Sequence, residues 1–269
     1  MSDEGKLADT PQIPALDLFS LRGQVALVTG GSRGIGAAMT IALAQAGADV
    51  VSAQRDTSNT STRDAIRALG RKCEIIGCDL TDKESVKTVV QRAVDAMGNI
   101  DILINCGGML KRQDTVDITS ADWNEVIDTN LTALFTICQE AGKHMIPRRR
   151  GKIINVSSLN AFIGGARVIH YTAAKTAVMG LTKALSNEWA KYNIHVNAIA
   201  PGSIATDINT EARKDPAFVK NRLVGTPGNR WGAPEDFAGP AVFLASAASN
   251  YVSGETLVVD GGALGKGPI

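Results

Sequence analysis

Gln24-Val-Ala-Leu-Val-Thr-Gly-Gly-Ser-Arg-Gly-Ile-Gly36 decides how the rest of the chain is read. An apolar run ends at Thr29, glycines follow at 30, 34 and 36, and a helical pattern then begins. Such a strand, turn and helix lets backbone come close to a pyrophosphate. It also aims unpaired N–H groups and the positive end of a helix dipole at it. A glycine-rich string in isolation is a weak signal, but at the first strand-to-helix junction it is a strong one. Gly30, Ser32, Arg33, Gly34, Ile35 and Gly36 are therefore the candidate dinucleotide loop. The lysine of a triphosphate-binding loop is missing, which argues against ATP hydrolysis.

Outward from this stretch, short Val/Ile/Leu runs alternate with helical patterns. Strands are expected at Gln24–Thr29, Asp49–Ala53, Cys73–Cys78, Asp101–Asn105, Lys152–Ser157, His195–Ile199 and Thr256–Val259. Nearly continuous apolar runs suit parallel strands covered on both faces. Helices are expected near 34–47, 62–69, 82–97, 121–146, 172–191 and 234–248, with Thr81 to Glu84 as a capping box. Strict alternation implies an α/β, doubly wound parallel sheet of about seven strands. We read residues 1–20 as a loose arm and 21–269 as one dinucleotide-binding and catalytic domain.

Composition narrows the classes. Twenty-eight Lys+Arg against 27 Asp+Glu leave a net charge of +1, so nothing draws the chain to nucleic acid. Hydrophobic residues are 44% and charged residues 20%, as in ordinary globular proteins. No targeting or membrane segment is visible, so no membrane role and a cytoplasmic location are expected. The three His lack metal-ligand spacing, and Cys73 and Cys78 should face opposite sides of one strand, so no metal site is expected. Arg148, Arg149 and Arg150 read as a solvated turn.

The second strand should end at the adenosine ribose, where an acidic residue selects NAD and a basic one suits the 2′-phosphate of NADP. Here Gln54 and Arg55 precede Asp56, and Arg33 lies in the glycine loop. NADP is thus favoured over NAD, although Asp56 turned inward would reverse the preference. Asp79 and Leu80 end the third strand, where Asp79 either meets the adenine or serves a turn. Asn105 and Gly107 end the fourth, where small residues let backbone pass under a cofactor.

Tyr171 and Lys175, four residues apart, share one helix face. A lysine charge at ~6 Å with an effective dielectric of ~20 favours the phenolate by about 3 kcal/mol. That would bring Tyr171 toward neutral pH, where acid–base catalysis works best. Ser158 closes the fifth strand thirteen residues earlier, where its hydroxyl either holds a substrate oxygen or serves the turn, as Ser157 also could. Among basic residues, Arg112 and Arg167 are candidates for a substrate carboxylate, with Asn160 as a further candidate contact. Lys111 and Arg167 have ion-pair readings beside that one.

These pieces, with Asn130 and with Pro201 followed by Gly202, resemble the short-chain dehydrogenase/reductase family from about residue 20 to 262. The resemblance implies a Rossmann-type sheet, commonly a homotetramer, and hydride transfer with a nicotinamide. It implies Tyr171 as general acid/base, Lys175 on the nicotinamide ribose, and Ser158 on the carbonyl or alcohol. Asn130 would hold a relay water, and Pro201, Gly202, Ile204 and Thr206 would lie along the nicotinamide. Cys106 stands where the family often has Ala or Asn.

Leu110 to Asp114, Gly164 to Val168, Asn187 to Lys191, Asn197 to Gly202, Arg230 to Pro234 and Gly239 to Ser246 are similar to the 2-deoxy-D-gluconate 3-dehydrogenase group. That group acts on keto-deoxy sugar acids, generally with NAD. The expected substrate is thus a secondary alcohol or ketone, a sugar acid or polyol. The alternatives are a 3-oxoacyl carrier-protein reductase, a carbonyl reductase of secondary metabolism, and a non-catalytic dinucleotide-binding scaffold.

Overall fold

The computed structural model describes residues 13–267, and only the backbone of Ile208. Most of the proposed arm, residues 1–12, lies outside the described residues; Asp17–Phe19 forms a 3-10 turn, with the Phe19 ring 6.4 Å from Phe243. Seven parallel strands form one sheet in the order β3-β2-β1-β4-β5-β6-β7. They are β1 (Val25–Thr29), β2 (Asp49–Gln54), β3 (Cys73–Gly77), β4 (Ile102–Asn105), β5 (Gly151–Val156), β6 (Ile194–Pro201) and β7 (Thr256–Val259). Each lies within about two residues of its expected bounds.

The period-two alternation of side chains divides the apolar residues between two cores. Leu27, Val51, Leu103, Ile153 and Val196 face one side. There they meet α3 (Lys83–Met97), α5 (Ala133–Arg148) and α7 (Ile169–Trp189). Val28, Val50, Ile102, Ile104 and Ile154 face the other, against α1 (Gly34–Gln45) and α9 (Ala238–Ala245). Cys73 belongs to one core and Cys78 to the other, so the two thiols do lie on opposite faces. Each wholly buried Leu or Ile contributes about 1.5–3 kcal/mol relative to exposure. Among the described residues no helix is long and apolar enough to cross a membrane.

Four local expectations are corrected. The cap of α3 is Asp82, whose side chain accepts from the Glu84 N–H; Thr81 instead donates its hydroxyl to Asp79. The long helix at 121–146 is broken into α4 (Ser120–Ile127), a π turn at Asp128–Thr132, and α5. The cause is Asn130, whose side-chain Nδ2 donates to the Val126 carbonyl, the acceptor that its own N–H would use in a regular α-helix. An unforeseen helix α8 spans Pro216–Val224, after the shorter α2 (Ser61–Ala68), α6 (Asn160–Ile163) and the elements above. Its signal was Asp215 before Pro216, a side-chain cap followed by proline in the first turn.

The arginine run is not merely solvated. Asp101, 2% exposed at its side chain, accepts from Arg148 Nη2 at 2.9 Å and the Val25 N–H at 3.1 Å, with Arg150 Nε at 3.6 Å. Burial alone would raise the Asp101 pKa, but these donors outweigh it and hold the carboxyl below its ordinary range. A depressed carboxylate adds stability above its unfolded pKa of about 3.9 and loses it as pH falls toward the folded value. Asp101→Ala should therefore cost about 3 kcal/mol in urea unfolding at pH 7. The gap between variant and wild type should narrow below about pH 4; a pH-independent gap would refute the ionic account.

Candidate active site

Strand order reverses between β1 and β4, so their carboxyl ends open a crevice there. Thr29, the last residue of β1, accepts at Oγ1 from the N–H groups of Cys106 and Gly107, at 3.2 and 3.3 Å. This holds the end of β4 against the glycine loop. Gly30 has φ +69°, and a side chain there would meet Gly107 Cα at 2.8 Å. At Gly36 a side chain would overlap the Gly30 carbonyl oxygen. The loop thus passes tightly over the β4 end before α1 begins at Gly34. It forms a cradle that side chains would fill, beside a twelve-residue helix whose first N–H groups lack helical partners.

The rim of the crevice has a basic character at the β2 end. Buried Gln54 donates to the carbonyls of Asp56 and Asn59, which folds the turn back on itself. Asp56 spends its carboxylate on the Ser58 N–H and hydroxyl, and these bonds hold its pKa low. Arg55 is exposed and has no ion pair among the described residues. Arg33 is also exposed and lies 3.9 Å from Asp207. Asp79 takes the turn role: its Oδ1 accepts from the Thr81 N–H and hydroxyl, which lower its pKa, with Arg55 adding to the effect. Leu80 packs on Gly107.

At the β6 end, Thr206 reaches back to the glycine loop, its methyl 3.4 Å from where a Gly34 side chain would begin. Pro201 accepts at its carbonyl from the Leu159 N–H, and Gly202 is closed against Asp260. Ile204 departs from the pattern. It is 5% exposed and packs into the core, and its carbonyl accepts from Asn209 Nδ2. Asn105 is likewise turned inward: Nδ2 donates to Asn155 at 3.0 Å and to Cys138 Sγ at 3.2 Å. It braces β4 against β5 rather than lining the opening.

Tyr171, Lys175, Ser158 and Asn130 converge at the carboxyl ends of β4 and β5. Lys175 is 4% exposed, donates through Nζ to the Val156 carbonyl at 2.8 Å, and lies 5.7 Å from the Tyr171 ring centre. The two serines now separate. Ser157 donates its hydroxyl to the Lys175 carbonyl, whereas Ser158 accepts from the Asn160 N–H and turns its hydroxyl to Tyr171. Asn130 is fully engaged: Oδ1 accepts from the Met109 N–H, and Nδ2 donates to the Met109 and Val126 carbonyls. It clamps the segment after β4. Gly108 admits this clamp, since a side chain there would meet Asn130 Oδ1 at 2.6 Å.

Burial reshapes the electrostatics of this cluster. Burial pushes the Tyr171 pKa up, while Ser158 and the Arg112 charge pull it back. Burial also brings Lys175 down to about 8, so its charge is itself conditional on pH. Desolvation thus opposes the effect of the lysine charge on the phenol. Cys106, next to Gly36, is pushed up to about 11 by burial and is a neutral thiol at pH 7.

The basic candidates also separate. Lys111 is tied to Asp122 and Glu125, and Arg167, in the left-handed region at φ 65°, to Asp114 at 2.9 Å. Both have ion-pair roles that hold the crevice walls. Arg112 has no such partner among the described residues, and its charge reaches Tyr171. Asn160 opens α6 beside Ser158. Thr29 carries no signal of this role in the sequence, because its hydroxyl is an ordinary strand-end feature until β4 lies beside it.

Residues 30–263 match a family model described as enoyl-(acyl carrier protein) reductase. The chain is 44% identical over 252 residues to the 2-dehydro-3-deoxy-D-gluconate 5-dehydrogenase of Escherichia coli strain K12, covering 93% of this chain and 99% of that one. It is 40% identical to the gluconate 5-dehydrogenase of Gluconobacter oxydans strain 621H, covering 91% and 96%. A solved gluconate 5-dehydrogenase from Burkholderia cenocepacia J2315, in complex with NADP and tartrate, superposes with a TM-score of 0.90. It is 36% identical and covers 94% of this chain and 100% of that one.

Proposed function

The chain belongs to the short-chain dehydrogenase/reductase family, and from that premise we propose that it oxidises or reduces a sugar acid at a secondary alcohol or ketone carbon, with NADP preferred over NAD. The convergence of Tyr171, Lys175 and Ser158 beside the glycine cradle carries the reading. The relatives named for gluconate and its keto-deoxy derivative support the substrate class.

The glycine loop, Arg33, Arg55 and Thr206 fit a dinucleotide and would hold it. When bound, it supplies the hydride donor or acceptor. Ser158, beside Tyr171, donates its hydroxyl proton toward the substrate oxygen when substrate is bound and orients it. Tyr171 Oη gives its proton to a carbonyl oxygen during reduction, or takes the hydroxyl proton during oxidation. Lys175 sits below the tyrosine and, below about pH 8, lends a positive charge that favours the phenolate. Asn130 acts by holding Met109, which fixes the floor of the crevice after β4.

The cofactor preference follows from Asp56 being consumed in its own turn while Arg55 has no ion pair among the described residues. Arg55→Ala should raise KM for NADPH about 10- to 100-fold, the loss of a charge-assisted phosphate contact, and change KM for NADH less than about threefold. Equal effects on both cofactors would remove the 2′-phosphate contact. The substrate class is tested by following nicotinamide absorbance against keto sugar acids, neutral ketoses and a β-ketoacyl thioester. Turnover of the sugar acids is the expected result, and turnover of the thioester alone would overturn it. The reading extends to a cytoplasmic homotetramer, which sedimentation tests.

A further inference from the structure

One wall of the crevice is a segment without regular structure, residues 108–114, between β4 and the 3-10 turn at Thr115–Asp117. Its two ends are fixed beside the start of α7. A side chain at Gly108 would begin 3.8 Å from Lys175 Nζ, and Met109 is clamped by Asn130. At the far end the Gln113 N–H donates to the Arg167 carbonyl at 2.9 Å, and Asp114 pairs with Arg167 Nε at 2.9 Å. Tyr171 stands four residues after Arg167 and four before Lys175. The segment therefore passes along the turn of α7 that carries the tyrosine.

Between those ends no sheet or helix holds the segment. Asp122, in the first turn of α4, does so instead. Its Oδ1 accepts from Lys111 Nζ at 2.7 Å and its Oδ2 from Gln113 Nε2 at 3.1 Å. One carboxylate thus fixes two points of the wall. Glu125 shares Lys111, but among the described residues Asp122 alone joins Lys111 to Gln113. The Asp122 side chain is 23% exposed, which limits solvent screening, whereas the Arg167–Asp114 pair is open to solvent and weak. The Lys111, Gln113 and Thr119 donors hold the Asp122 carboxyl far below its ordinary range, so it is ionised at any working pH. Asp122 also has a task within its own helix. Thr119 Oγ1 accepts from the Asp122 N–H at 3.1 Å and donates to Oδ2 at 2.7 Å, which caps α4.

Resting on the active-site reading and deepening it, we propose that Asp122 is a positioning residue for substrate: by tying Lys111 and Gln113 to α4, it sets how far the 108–114 wall stands from Tyr171. It thereby fixes the width of the pocket in which the carbonyl or alcohol is held. The glycine cradle is braced separately, through Thr29 and Gly107, so cofactor binding does not depend on this strap.

The test compares three variants by steady-state kinetics with NADPH and a keto sugar acid. Asp122→Ala removes strap and cap together. Gln113→Leu combined with Lys111→Met removes the strap and keeps the cap. Thr119→Val removes the cap and keeps the strap. The first two should raise KM for the sugar acid about tenfold, the worth of one or two lost hydrogen bonds. Their kcat should stay within about threefold and their KM for NADPH within about twofold, as for an element that serves ground and transition states alike. Thr119→Val should lower the melting temperature by about 2–4 °C and leave both KM values within about twofold. Should Asp122→Ala fail to fold by circular dichroism, the Gln113→Leu, Lys111→Met protein decides. An unchanged KM for the sugar acid in the folded strap variants would overturn the proposal. So would a rise in Thr119→Val equal to theirs, which would make Asp122 a helix cap alone. Wild-type turnover of another ketone but of no sugar acid would overturn the sugar-acid reading, and the same variants measured on that ketone then decide the strap separately. No turnover of any carbonyl compound would overturn both.

Discussion

Tyr171→Phe should lower kcat on the sugar acid by about a thousandfold, within the range that a positioned general acid contributes. The change removes one oxygen atom. Burial holds the phenol proton on and Ser158 stabilises the charged form, so the hydroxyl is poised between two opposing influences. Phenylalanine keeps the ring packing near Lys175 and loses only the group that moves the proton. Stability should fall by no more than about 1 kcal/mol, the net worth of one hydrogen bond. The NADP affinity should also be retained, because the glycine loop and its neighbours are untouched. Turnover within tenfold of wild type would sink the assignment and leave Ser158 or a water as proton carrier. The pH dependence gives a second check. Lys175 is cationic below about 8, so the electrostatic support for the phenolate should weaken as pH rises through that value. Lys175→Met should abolish that limb of the profile, and its persistence in the variant would assign the limb to another group.

Gly36→Ala should weaken dinucleotide binding at least about a hundredfold, the effect of displacing several phosphate-facing backbone donors at about 1 kcal/mol or more each. The new methyl would overlap the Gly30 carbonyl, a backbone atom that cannot rotate aside as a side chain can. Gly30 in turn cannot recede, since it stands against Gly107 at the end of β4. The loop would have to open, carrying the first turn of α1 with it. Overpacking of this kind costs about 1–3 kcal/mol, so the fold should survive with reduced stability. Titration with NADPH against circular dichroism separates the two effects. Wild-type affinity in the variant would remove this loop from the cofactor site.

The strands were legible because a parallel sheet covered on both faces needs nearly uninterrupted apolar residues. Ile102, Leu103 and Ile104 therefore read as strand whichever core each enters. The glycine loop was legible for the opposite reason: its backbone geometry tolerates few residues other than glycine. Helix α8 was not read, since its sequence is mixed in polarity and only Asp215 and Pro216 mark its start. The π turn was not read either. It depends on the Asn130 side chain taking a carbonyl of its own helix, and an asparagine on a helix surface looks the same in sequence. Of adjacent Ser157 and Ser158, only the folded chain shows which is committed to the α7 backbone.

By itself the sequence determined the doubly wound sheet, the glycine loop at its first strand-to-helix junction and the tyrosine–lysine pair, because these rest on local periodicity, backbone permissiveness and i,i+4 spacing. Tertiary structure alone decided which charges are free. Asp56 and Asp79 are consumed by turns, Lys111 and Arg167 by carboxylates, and the Tyr171 pKa by burial against its neighbours. A charge acts on a ligand only when no partner in the chain has claimed it and its solvent has been removed. Both conditions depend on residues distant in sequence, as with Asp114, which the fold brings to Arg167.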